Sequence, residues 1–330
     1  MTTLDRPLRL LIVKTSSLGD VVHMLPALTD AARRYPGLLA DWVAEESFAA
    51  VPAWHPNVAR VHRVAIRRWR RAWSSAETRQ EWRVFRSGLR ATAYDAVVDA
   101  QGLLKSALIT RQARGPKWGY DWASAREPLA AFAWSHRVQV AKDLHAIERN
   151  RLLLAAALGY TLDGLGLDYG LQATRFEPPP ELELSAGYVL GLHGTSRPEK
   201  EWPVDAWIEI ARRLAQTGRS LLLPWGNERE HQRAQRVAQE ASGVRVLPRL
   251  GLDPLAAIIA RADAVIGMDT GLMHIAAALG RGGVALFPVT APALTGLHPP
   301  EGAPPIVHLS GTQALNVDLA WSALEQALDR

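Results

Sequence analysis

In Leu8-Arg9-Leu10-Leu11-Ile12-Val13-Lys14-Thr15-Ser16-Ser17-Leu18-Gly19-Asp20-Val21-Val22-His23, an aliphatic run ends in a lysine. The chain then passes through small hydroxyl residues and a glycine into an amphipathic segment reaching about Tyr35. A short continuous apolar run followed by a loop and a helical period is the pattern of a buried parallel strand leading to its crossover helix. The pattern repeats outward from there. Asp41 to Ala44, Val61 to Ile66 and Ala96 to Ala100 read as further strands, with helices expected near 74–90, 102–113 and 145–158. Glu177-Pro178-Pro179-Pro180-Glu181 can continue neither a helix nor a central strand. Alternation resumes with strands at Tyr188 to His193, Ser220 to Leu223, Arg245 to Leu247, Ala264 to Ile266 and Val284 to Phe287. Helices are expected near 204–217, 228–241, 253–261 and 271–280, and a last one, about Leu315 to Leu328, closes the chain or crosses back onto the first domain. The fold class is α/β, with two doubly wound domains at 1–176 and 188–330 joined by a proline-rich linker at 177–187. In such sheets ligands sit at the carboxyl ends of the strands, so the expected site is a cleft between the two domains.

Composition narrows the function. The chain has 330 residues, 48% hydrophobic and 22% charged, as expected of a globular protein. It has no cysteine, which excludes a disulfide scaffold, a thiol nucleophile and a thiolate zinc site. No apolar stretch approaches the roughly 18 residues of a membrane span, and the run before Lys14 is too short for a signal sequence. A cytoplasmic protein is expected. The net charge is +5, but Arg60 to Arg90 holds ten arginines against Glu77 and Glu81, a local +8 that leaves −3 elsewhere. A polyanionic partner fits such a patch, and so does a solvated helix face.

Several strand-to-helix loops could carry chemistry. The first is neither G-x-G-x-x-G nor a Walker loop, so it encodes no dinucleotide or P-loop chemistry. Its Asp20 is placed either to cap a helix start or to act as a general base. Thr195, Ser196 and Lys200, in His193-Gly194-Thr195-Ser196-Arg197-Pro198-Glu199-Lys200, offer hydroxyls and an ammonium to phosphate oxygens, or simply form a capped surface loop. In Gly267-Met268-Asp269-Thr270-Gly271-Leu272-Met273-His274, Thr270 and Gly271 open a helix, Asp269 can cap or bind a polar group, and His274 is either a structural hydrogen bonder or a ligand contact. Glu230 suits ribose hydroxyls or an ordinary exposed helix start. Arg67, Arg68 and Arg70 can fork onto anionic groups, with Trp69 and Trp73 spaced to face a lipid or sugar; Arg126 and His145 are further candidates for the same ligand. No metal-ligand spacing is present, so no metal site is expected.

These blocks together resemble the lipopolysaccharide heptosyltransferases, the ADP-heptose:LPS heptosyltransferase family of GT-B glycosyltransferases, and among them the type I enzymes. The resemblance rests on Leu10 to His23, Ala65-Ile66-Arg67-Arg68-Trp69-Arg70, Asp99-Ala100-Gln101-Gly102-Leu103, Arg126-Glu127-Pro128-Leu129-Ala130, Lys200-Glu201-Trp202-Pro203, Leu223-Pro224-Trp225-Gly226 and Asp269-Thr270-Gly271-Leu272. It implies a GT-B fold, an acceptor-binding first domain and an ADP-heptose-binding second domain. The implied reaction moves L-glycero-D-manno-heptose from ADP-heptose to the first Kdo of Kdo2-lipid A, with inversion and without a cofactor. In the implied assignment Asp20 is the general base. Thr195, Ser196, Lys200, Glu230, Asp269, Thr270, Gly271 and His274 bind the donor, and Arg67, Arg68, Arg70, Arg126 and His145 bind the acceptor. Ser196 stands where the family pattern has a threonine, and Met273 where it has a small polar residue. The implied partners are ADP-heptose, Kdo2-lipid A and the anionic inner face of the inner membrane. Rival readings are a type II heptosyltransferase or other core glycosyltransferase, a nucleotide-sugar epimerase or dehydrogenase, and a nucleic-acid-binding protein. The last is disfavoured because no nucleic-acid module is recognisable.

Overall fold

A computed structural model of the chain describes residues 6–182, 184, 187–195 and 200–329. The chain divides into two compact units, Met1–Leu171 and Gln172–Arg330, each built on its own parallel sheet.

In the first unit the strands are β1 (Arg9–Val13), β2 (Leu39–Glu45), β3 (Val58–Val64), β4 (Ala96–Asp99), β5 (Lys117–Tyr120) and β6 (His136–Val138). They lie in the order β3-β2-β1-β4-β5-β6. Leu10 to Val13 are all buried because the central strand is covered on both faces. Leu11 and Val13 pack with Phe85 and Leu89 of the helix Ala76–Arg90 and with Ile109 of the helix Leu104–Thr110. The helices Leu25–Arg34 and Ala146–Leu158 pack on each other and the latter on β4, β5 and β6.

The second unit repeats the plan. Its strands are β7 (Tyr188–Leu192), β8 (Ser220–Leu223), β9 (Val244–Val246), β10 (Ala264–Met268), β11 (Gly283–Phe287) and β12 (Ile306–Ser310), in the order β12-β11-β10-β7-β8-β9. Counted within each unit, both sheets read 3-2-1-4-5-6, the doubly wound dinucleotide-fold order. Trp207, Ile210 and Leu214 of the helix Val204–Gln216 meet Leu221, Leu223, Ile266 and Leu286 in one core. The last helix, Val317–Leu328, packs on β10, β11 and that helix, within its own unit.

Three strands escaped the sequence reading. β5 carries Lys, Trp, Gly and Tyr instead of an aliphatic run, β6 has three residues, and β12 follows Pro304-Pro305. The expected strand at Val61 to Ile66 ends at Val64, and Ile66 begins the helix Ile66–Arg71. Glu45 explains the turn: its carboxylate accepts the backbone N–H groups of Ile66 and Arg67, the groups left open at a helix start.

Candidate active site

Each sheet reverses winding direction beside its first strand, and the candidate residues gather at both switch points. In the first unit this point lies between β1 and β4. The loops after the two strands are tied by Gln101, whose Oε1 accepts the N–H groups of Thr15 (2.9 Å) and Ser16 (3.1 Å). Lys14 is buried and its Nζ donates to the Ala100 carbonyl at 2.8 Å. Asp99 holds the other side of the turn by accepting the N–H groups of Gln101 and Gly102 and the Thr110 hydroxyl.

Asp20 stands on the third residue of the helix Leu18–Val22. Its Oδ2 accepts the Ser17 N–H at 2.9 Å and the Ser17 hydroxyl at 3.0 Å, with Arg126 Nη1 3.7 Å away. Its Oδ1 lies 3.9 Å from Lys14 Nζ. Burial alone would raise this carboxyl's pKa, but Lys14, the Ser17 donors and Arg126 together pull it below the ordinary value. Asp20 thus caps its own helix and is held ionised. Lys14 is shifted downward, chiefly by burial, while Asp20 supports its charge.

Of the expected acceptor set, Arg126 stands beside this carboxylate. The Arg126 segment is pinned by the Glu127 N–H donating to the Gly102 carbonyl at 3.0 Å, and its side chain stays exposed. His145 caps the helix Ala146–Leu158 and meets His23 edge-on, ring centroids 5.4 Å apart. Arg67 donates its backbone N–H to the Glu45 carboxylate, and the Glu45 N–H in turn donates to the Thr15 carbonyl at 3.0 Å. Arg70 is exposed on the same helix. Arg68 is committed elsewhere, its Nη1 donating to both Glu81 oxygens at 2.9 and 3.0 Å and its Nη2 paired with Glu46 at 3.1 Å. Trp69, expected to face a lipid or sugar, is instead a core residue: it packs on Trp82 and Phe85 and donates its Nε1–H to Glu81. Only Trp73 of that pair is exposed.

In the second unit the switch point lies between β7 and β10. Lys200 Nζ donates to Asp269 Oδ2 at 2.8 Å, and Thr290 Oγ1 donates to the same oxygen at 2.9 Å. Thr270 caps the helix Gly271–Ala278 by accepting the Leu272 N–H, so the helix start opens beside this ammonium. Glu230 Oε2 accepts the Gly226 N–H at 2.7 Å. The same carboxylate lies so close to Gly194 that a Cβ there would stand 2.8 Å from Glu230 Cδ. Thr195 follows in the loop after β7; Ser196 lies outside the described residues. His274 is buried on the helix's first turn. Met273 fills the space over Gly267, where a Cβ would meet its Sδ at 2.7 Å. That tight fit accounts for a large apolar residue beside His274.

Four residues of these sites escaped assignment from the sequence: Lys14, Gln101, Arg149 and Thr290. Arg149 donates to the Ser124 carbonyl at 2.6 Å, lies over the Tyr120 ring at 4.8 Å and bears on the Lys14 charge. A lysine ending an otherwise buried strand was the visible signal for the first; Thr290 follows β11 and nothing nearby marks it. Among the described residues no group of three or more His, Cys, Asp or Glu side chains is arranged to hold a metal ion.

Comparison with known proteins turns this geometry into a family. The model of glycosyltransferase family 9 (heptosyltransferase) matches residues 82–313. The chain belongs to that family. It is 48% identical over 291 residues to lipopolysaccharide heptosyltransferase 1 of Escherichia coli strain K12, covering 88% of this chain and 90% of that one. The structure of E. coli heptosyltransferase WaaC with ADP matches with a TM-score of 0.90 at 43% identity, over 97% of this chain and all of the other. The same enzyme with ADP-2-deoxy-2-fluoro heptose matches with a TM-score of 0.85, over 98% and 99%. The protein is therefore a glycosyltransferase of family 9, and its two units are the Rossmann-like halves of the GT-B type. Membership removes the nucleic-acid-binding, epimerase and dehydrogenase readings.

Proposed function

We propose that this family 9 transferase moves L-glycero-D-manno-heptose from ADP-heptose to the first Kdo of Kdo2-lipid A, with inversion, during inner-core lipopolysaccharide synthesis. The reaction is placed on the cytoplasmic, anionic face of the inner membrane. The observation that carries the reading is the Asp20 carboxylate, kept ionised in the loop-helix turn after β1 with Lys14 and Arg126 beside it. The ADP and fluoro-heptose analogue bound by a 43% identical enzyme support the donor.

Asp20 takes the proton of the acceptor hydroxyl as its oxygen attacks the anomeric carbon. The bond from that carbon to the β-phosphate oxygen breaks, and ADP leaves. A single displacement inverts the centre and needs one base, by analogy with inverting glycosidases. Negative charge grows on the departing diphosphate. Lys200, the hydroxyls of Thr195 and Ser196, and the amides opened by Thr270 and Gly271 stabilise it. Lys200 exchanges part of its contact with Asp269 for a phosphate oxygen. Glu230 accepts from the ribose hydroxyls, and Asp269 and His274 complete the donor pocket. Arg67, Arg70, Arg126 and His145 hold the anionic acceptor, while Arg68 anchors their helix to Glu46 and Glu81.

The test is incubation with ADP-heptose and Kdo2-lipid A, with and without a chelator, reading ADP release and the configuration of the new linkage. Inverted product in both arms is expected. Retained configuration, or transfer to another acceptor in preference to Kdo2-lipid A, would contradict the proposal.

A further inference from the structure

The helix Leu104–Thr110 and the turn Pro128–Ala133 pack together in the first unit. Glu127 joins them: its Oε2 accepts the Leu104 N–H at 2.6 Å. Leu104 and Leu108 are spaced i, i+4 on the helix and both are exposed. On the turn Leu129 is 61% exposed and Phe132 69%. Trp122, also exposed, meets the Phe132 ring edge-on with centroids 4.2 Å apart. Of the eleven exposed large apolar side chains among the described residues, four therefore fall on this pair of neighbouring segments and a fifth, Trp122, packs against them. A solvated surface scatters such residues singly; a gathered group marks an interaction site.

The surroundings say what covers it. Lys105 lies between the two leucines, Arg126 precedes the turn, and Arg137 stands over the Trp122 ring at 5.6 Å. The neighbouring helix Ala76–Arg90 turns Arg79, Arg83, Arg86 and Arg90 outward. Their spacing of i, i+4, i+7 and i+11 puts them on one stripe. None of the four is within ion-pair distance of a carboxylate among the described residues, and Glu81 of the same helix is taken by Arg68 and Trp69. Arg90 Nε donates to the Gln112 carbonyl at 3.3 Å, which ties the stripe to the far end of the leucine helix.

We propose that this face, Leu104, Leu108, Trp122, Leu129 and Phe132 with the flanking arginine stripe, docks the enzyme on an anionic lipid bilayer. Apolar side chains that enter the acyl boundary beside cations that meet the headgroups are the composition of a peripheral membrane surface. No helix among the described residues is long and apolar enough to cross a membrane. The face adjoins the candidate site through Arg126, 3.7 Å from Asp20. Docking there holds the base at the height where the sugars of a membrane lipid stand, and in this respect the inference rests on the proposed lipid acceptor.

The experiment compares the full chain with Leu129→Gln/Phe132→Gln and Arg83→Gln/Arg86→Gln, all exposed substitutions. Partition is measured on vesicles of phosphatidylethanolamine with phosphatidylglycerol and on vesicles of phosphatidylcholine alone. The parent binds the anionic vesicles more tightly. The apolar pair lowers that partition about tenfold or more, and the arginine pair removes the preference for phosphatidylglycerol. Transfer to an acceptor stripped of its acyl chains stays at the parental kcat/KM in both variants. A parent that ignores vesicles, an apolar pair that partitions like the parent, or an equal loss on the acyl-free acceptor would overturn the assignment. Failure of the parent to transfer heptose would sink the proposed reaction and leave the vesicle arms to decide the docking face.

Discussion

Asp20 answers the question that its position poses, because its two oxygens are employed differently. Oδ2 closes the helix start through Ser17, and Oδ1 is turned toward Lys14. A carboxylate stabilised by a neighbouring ammonium loses that support when the ammonium is removed. Lys14→Met is therefore expected to raise the Asp20 pKa and shift the acid limb of the kcat profile to higher pH; a profile that stays in place would uncouple the two. Arg67 and Arg68 make a second contrast. Arg67→Gln should raise the acceptor KM several-fold, whereas Arg68→Gln should leave it near the parental value and loosen the Glu46–Glu81 bridge, as read from paired kinetics and thermal melts. That contrast was hidden in the sequence. A run of four arginines shows charge but not partners, and the acids that claim Arg68 arrive from 22 and 13 residues away. The core position of Trp69 is hidden for the same reason, since its indole partner Glu81 lies on the next helix.

The strand-loop-helix connections were the most legible elements. Buried aliphatic strands, small loop residues and a polar helix start leave a strong local signature, and it put Asp20 and Thr270 at helix starts, where the structure has them. Short or polar strands leave little: β6 is three residues with two of them polar, β12 carries His308 and Ser310, and β5 spends a position on Gly119 because Trp134 fills the space where a Cβ would stand. The loop after β7 has a similar demand at Gly194. Adding a methyl group there pushes on the Glu230 carboxylate and disturbs its bond to the Gly226 N–H. Gly194→Ala should weaken ADP binding several-fold by calorimetry with a stability loss within about 1 kcal/mol. Unchanged affinity would remove Glu230 from the nucleotide site.

Two units with one strand order place two complementary chemistries at equivalent points, a carboxylate with a cationic rim after β1 and an ammonium with an open helix start after β7 and β10. The first unit's stability also carries a proton signature. His55 is buried, accepts the Asn57 N–H at Nδ1 and bonds Thr29 through Nε2, and burial lowers its pKa to about 4. The unfolded chain binds that proton near pH 6.5, so His55 supports the fold fully above 6.5 and less as pH falls toward 4. Asp99 acts with the opposite sign, because burial raises its pKa and acid favours its folded form. His55→Gln isolates the histidine: urea unfolding between pH 7 and pH 5 should lose roughly 2 kcal/mol less in the variant than in the parent. Equal slopes would refute the assignment. The proposed division of labour between the units comes down to Asp20→Ala, assayed for turnover and for ADP affinity in one preparation. A fall in kcat of at least about 100-fold with ADP binding retained is expected. Turnover close to the parent, or turnover and ADP affinity lost together, would contradict a base on one unit serving a donor held by the other.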